Sequence, residues 1–101
     1  MSVAIQFQGA TANITLSGNV DYSMQDEIRN ANQQALSNEQ VKEICVDFKD
    51  VTFLDSSVIR ALLTLQKQAD AAGKSLDILN CNNPTREVFE IAGFDRMFTF
   101  R

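Results

Sequence analysis

The chain contains no histidine. That absence removes the imidazole of a Ser-His-Asp hydrolase, the usual general base near neutral pH and the commonest metal ligand. Two cysteines, Cys45 and Cys81, are too few for a zinc site and too far apart for a C-x-x-C redox pair. Cys45 lies within Ile44-Cys45-Val46 and reads as a small buried side chain. Cys81 follows an expected strand, with nothing beside it to activate a thiolate. Lys and Arg form no stripe, and a net charge of −4 opposes binding to nucleic acid or an anionic membrane. No apolar run approaches the roughly 20 residues of a membrane span, and no secretory leader opens the chain, so a cytoplasmic location is expected. Linkers, repeats and low-complexity segments are also missing. With 101 residues there is room for one core, expected as a single domain over residues 1–101. A chain of this length buries roughly 65% of its unfolded surface, enough to fold without disulfides or metal.

What is present is clear hydrophobic patterning. Val3, Ile5 and Phe7 alternate with polar or small residues, Gln8-Gly9-Ala10 marks a turn, and Ala12, Ile14 and Leu16 alternate again. This predicts a β-hairpin with one buried face, broken at Ser17-Gly18-Asn19. Ser23 reads as a helix cap, with Asp26 and Glu27 in the first turn and Met24, Ile28, Ala31 and Ala35 on the inner face. Ile44, Cys45, Val46 and Phe48 form a nearly continuous apolar run, as in a strand covered on both faces. A second helix is expected from about Ser57 to Ala71, with Ile59, Leu62, Leu63, Gln66 and Ala69 inward and Gly73 as its stop. Leu76, Ile78 and Leu79 predict a strand, and Asn83-Pro84 starts a third helix with Val88, Phe89 and Ala92 buried. Met97, Phe98 and Phe100 suggest a last short strand. The order is ββαβαβαβ: an α/β fold whose mixed sheet opens with an antiparallel hairpin and continues with parallel strands.

The chemistry concentrates at Phe53-Leu54-Asp55-Ser56-Ser57-Val58-Ile59, where an Asp-Ser-Ser step separates a strand-like run from a helical one. On residue chemistry alone, Asp55, Ser56 and Ser57 read as helix caps. The same place would also accept a phosphate. Phosphorylation adds about −1.5 to −2 charges and three acceptor oxygens, which the free N–H groups and dipole of a helix start tolerate. Ser56 has Asp55 beside it but no base and no nucleophile elbow, so catalysis is not expected.

Three fragments, in order and spacing, resemble STAS domains of the anti-sigma factor antagonist type over nearly the whole chain. Leu16-Ser17-Gly18-Asn19-Val20-Asp21 is similar to the family's Leu-x-Gly-x-Leu-Asp. The run Val46-Asp47-Phe48-Lys49-Asp50-Val51-Thr52-Phe53-Leu54-Asp55-Ser56-Ser57 is close to its central signature. Val88-Phe89-Glu90-Ile91-Ala92-Gly93-Phe94 is like its closing helix. The resemblance implies the STAS fold and a binding switch without enzymatic activity. Such proteins dock an anti-sigma factor that is also a serine kinase; phosphorylation breaks the complex and a serine phosphatase restores it. Carried over, Ser56 is the phosphoacceptor, with Ser57 the less favoured hydroxyl and Asp55 shaping the loop. Asp21, Tyr22 and Ser23 match the loop that family members place beside the site, and are expected at the interface with Asp55, Ser57, Val58 and Arg60. No cofactor or metal is expected on this chain; ATP and Mg²⁺ belong to the kinase.

The chain departs from the family's Ser-Ser/Thr-Gly-Leu-Gly, with Val58 and Arg60 in place of two glycines. A different partner, or a stand-alone STAS regulator of polysaccharide or biofilm output, is the alternative this supports; a non-switching scaffold is another. Arg60 lies one helical turn beyond Ser56, within reach of a phosphate there.

Overall fold

The computed structural model describes residues 2–101. Strands β1 (Ser2–Gln8) and β2 (Thr11–Val20) form the expected antiparallel hairpin. Its two-residue turn is made possible by Gly9 at φ 61, a left-handed value that an L side chain resists. A 3₁₀ turn (Tyr22–Met24) leads into α1 (Gln25–Ser37), followed by β3 (Glu43–Leu54), α2 (Ser56–Ala71), β4 (Ser75–Leu79) and α3 (Asn83–Ile91). A second 3₁₀ turn (Asp95–Met97) precedes β5 (Thr99–Phe100). The five strands lie in chain order, and every pair after the hairpin is parallel, which bears out the mixed ββαβαβαβ sheet.

Because each crossover steps to the next strand in the same direction, right-handed connections put all three helices on one face. α1 packs on α2, and α2 on α3. The rows Ala12–Ile44–Leu76 and Ile14–Val46–Ile78 line that face and are buried. β3 is therefore covered on one face by helices, not on both. On the other face Asn13 and Asp77 flank Cys45, which is hidden by side chains instead: Arg101 donates to its Sγ at 3.7 Å and bridges Asp77 at 3.0 Å. Under α3, Phe89 is fully buried against Phe48, Phe98 and Phe100, with ring centroids 5.2–5.9 Å apart. Lys74, nearly buried, fastens the α1 exit to β4 by donating to the carbonyls of Asn38 and Val41 at 2.9 and 2.6 Å.

Several boundaries differ from expectation. Ser17-Gly18-Asn19 does not end β2. Gly18 takes φ 75, and the pairing with β3 slips between Thr15 and Ser17 and again between Gly18 and Asn19. Each slip inserts one extra residue on β3, so the strand bulges and continues. Its buried residues past the first slip, Phe48, Val51 and Leu54, consequently recur every third position. At the α1 entrance the capping side chain is Asp21, which accepts from the N–H and hydroxyl of Ser23, so Ser23 is not the cap. Asn82, one residue earlier than expected, caps α3 by accepting from the Thr85 N–H at 2.9 Å. Along α2, Val58 and Leu65 join the buried stripe, whereas Leu63 and Gln66 are only half-buried. Met97 belongs to the 3₁₀ turn and is exposed.

Candidate functional site

The Asp-Ser-Ser step forms where β3 outruns β4. The last β3–β4 pair is Asp47 with Leu79; beyond it residues 48–54 pair with β2 alone. Leu54 anchors the end of this run in the core. Asp55 then turns the chain: its N–H donates to the Val20 carbonyl at 2.9 Å, and its Oδ1 accepts from the Ser57 N–H at 3.0 Å. Asp55 is thus the N-cap of α2, satisfying one of the orphan donors of the first turn.

The two serines consequently have different roles from the caps expected of them. Ser56 opens the helix with its side chain exposed. The Ser57 hydroxyl is buried and has no hydrogen-bond partner among the described residues. Neither hydroxyl caps α2, and of the two serines only Ser56 is exposed.

The bond between Asp55 and Val20 also brings the β2–α1 loop alongside. Asp21 follows Val20 directly, and Tyr22 stands 67% exposed next to it. One turn into α2, Arg60 projects into solvent and lines two depressions. The first, about 370 Å³, is shared with Ser56 and walled by Val88, Ile91, Ala92 and Phe94. The second, about 450 Å³, lies between α1 and α2, with Arg29, Asn32 and Ser57 among its lining. Val58 does not reach either surface. It is 0% exposed, packed in the core, and is removed from the expected interface. Of the two residues that depart from the expected Gly-Leu-Gly pattern, only Arg60 lies on the outer surface.

The exposure of two apolar side chains is not part of the sequence-based expectation. Ile91 is 86% exposed and borders the same depression as Ser56. Its signal was available: an isoleucine outside the buried stripe of its own helix. Phe53, 53% exposed at the bulged end of β3, is a second such residue.

Nothing in this neighbourhood is arranged for bond-making. Among the described residues no group of three Cys, Asp or Glu side chains converges as metal ligands would. Both cysteines are free, and burial pushes each thiol up to about 11; at Cys45 the nearby Glu43 carboxylate adds to the effect. Neither is a poised nucleophile.

Comparison with known proteins places this geometry. The family profile described as "Mlab, STAS domain" matches residues 3–99. A STAS-domain containing protein of Pseudomonas aeruginosa is 26% identical over 90 residues, covering 89% of this chain and 87% of the relative. An anti-sigma F factor antagonist of Paenibacillus polymyxa is 25% identical over 80 residues, covering 79% of this chain and 68% of the relative. Among solved structures, the anti-sigma factor antagonist SpoIIAA in its unphosphorylated form superposes with a TM-score of 0.83 at 23% identity, over 99% of this chain and 88% of that one.

Proposed function

This chain belongs to the STAS domain family, and from that membership and the geometry of Ser56 we propose that it is a phosphorylation-controlled protein-binding regulator. As a STAS domain it is a regulator and not an enzyme. In the proposed cycle the unmodified protein binds an anti-sigma factor that is also a serine kinase. The kinase, carrying its own ATP and Mg²⁺, phosphorylates Ser56 and is released; a serine phosphatase resets the switch. The naming of one relative as an anti-sigma F factor antagonist supports this reading, as does the SpoIIAA structure, which specifies an unphosphorylated form.

The observation that carries the proposal is the contrast between the two hydroxyls: Ser56 is exposed at the start of α2, whereas Ser57 is half-buried with its hydroxyl turned away from solvent. A phosphate on Ser56 adds charge where the helix N-terminus accepts it, so the fold stays unchanged and the penalty falls on the docked partner. An acidic partner surface is repelled, by about a few kcal/mol at a partly solvated interface. Ile91 and Arg60 supply exposed apolar and basic surface in the depression they share with Ser56, and Tyr22 is exposed on the adjoining β2–α1 loop.

A second reading keeps the switch and changes its output to polysaccharide or biofilm control. Arg60 favours it, because a guanidinium occupies surface that family glycines leave open to a close partner. One pull-down tests the shared mechanism. Ser56→Ala retains a kinase-like partner, Ser56→Asp loses it, and mass spectrometry of protein from cells finds phosphate on Ser56. Identical retention by both variants, with no phosphate found, leaves only a scaffold.

A further inference from the structure

β1 is a free edge of the sheet: among the described residues β2 pairs with it on one side and no strand on the other. Free edges normally carry a defence against pairing with another chain, such as a lysine, a proline or a bulge. This one has none. Residues 1–20 contain no charged side chain and no proline, in a chain whose net charge is −4. The β1–β2 register runs without a bulge from Ser2↔Ser17 to Gln8↔Thr11.

The direction of the unused backbone groups follows from the turn. Gly9 and Ala10 close a two-residue loop, which makes Gln8 and Thr11 the hydrogen-bonded pair next to it. Antiparallel ladders alternate from there, so Gln6 and Ala4 also point their backbone groups at β2. Phe7, Ile5 and Val3 point theirs outward. Their side chains share the helix-bearing face, opposite Ala12, Ile14 and Leu16. Val3 and Ile5 are half-buried, and Phe7 is 44% exposed.

We infer that this edge is a docking surface for a second copy of the chain, the two β1 strands pairing antiparallel about a two-fold axis at Ile5. In that register Ile5 faces Ile5, Val3 faces Phe7, and each hydrogen-bonded pair contributes two main-chain bonds. The apolar row of one sheet continues into the other. A second copy suits the edge better than a charged partner does. Two molecules of the same negative charge approach with least repulsion through a segment that has none, and a basic protein gains nothing there. With only a strand edge buried, the dimer is weaker than a standard interface of about 1,600 Å² and forms reversibly.

The register gives a charge test on the open face, where Ala4 of one copy stands directly opposite Gln6 of the other. Both side chains are exposed. Sedimentation equilibrium from low micromolar to submillimolar concentration should show wild-type protein passing from monomer to dimer. Ala4→Lys with Gln6→Lys opposes lysines across the seam twice and should raise the dimer Kd about tenfold. Ala4→Lys with Gln6→Glu opposes unlike charges and should restore the wild-type Kd or lower it. Wild-type protein that stays monomeric throughout overturns the inference, whether or not another protein's strand is later found on the edge. So does a dimer whose Kd is the same in both variants.

Discussion

At the scale of single residues, the adjacent serines are told apart by burial, which their sequence positions do not reveal. Asp55, Ser56 and Ser57 can each cap a helix, and the pattern leaves all three open. The choice is made from outside, where the Val20 carbonyl holds Asp55 at the turn and assigns the cap to it. Ser57 is then left with a buried, unpartnered hydroxyl. Ser57→Ala is therefore expected to cost nothing in denaturant unfolding, or to stabilise by up to about 1 kcal/mol, because an unsatisfied buried hydroxyl is itself unfavourable. A clear loss of stability would reveal a partner for that hydroxyl. Arg60 has a different prediction. It shares one depression with Ser56, so phosphorylated protein should melt a few degrees higher than unmodified protein, a gain of about 0.5–1 kcal/mol. In Arg60→Ala that gain should vanish; an equal shift in both backgrounds rules the pair out.

At the scale of elements, the inner face of α1 was legible, that of α2 and α3 only in part (Leu63, Gln66, Val88 and Ala92 are half-buried), and strand irregularities were not. Ile28, Ala31 and Ala35 are all buried, because a 3.6-residue period survives in a regular helix, and Met24 is buried from the 3₁₀ turn before it. The end of β3 hid its identity. Two extra residues inserted against β2 turn the buried spacing from two to three, so Asp50–Leu54 does not alternate as a strand should. Gly18 misled for the same reason: its left-handed φ permits a bulge as readily as a break. The cap of α2 allows a direct measurement at this scale. Asp55→Ala should destabilise the protein by about 1 kcal/mol in urea unfolding, since the Ser57 N–H loses its acceptor. Retention of full stability would mean that water replaces the carboxylate.

At the scale of the whole molecule, composition and element order sufficed for the architecture, but not for how the sheet is covered. The apolar run at Ile44–Phe48 resembles that of a strand between two layers, yet helices lie on one side only. Cys45 is hidden in part by its neighbour Glu43 and in part by Arg101, a contact across 56 positions that leaves no local pattern. The core depends strongly on one aromatic. Phe89→Ala removes the ring that Phe48, Phe98 and Phe100 all meet, and should cost about 3–5 kcal/mol by thermal or chemical unfolding. A loss below about 1 kcal/mol would mean the cluster collapses into the space. The strongest consequence comes from β2 and β3 running on past β4, which leaves Ser56 exposed at the start of α2. A hydroxyl presented there is within an enzyme's reach in every folded molecule at every moment, without waiting for any breathing motion. On the proposed reading of Ser56 as phosphoacceptor, its rate of modification should be indifferent to how firmly the interior holds together, so that even a softened Phe89→Ala protein, while folded, is modified as fast as its parent.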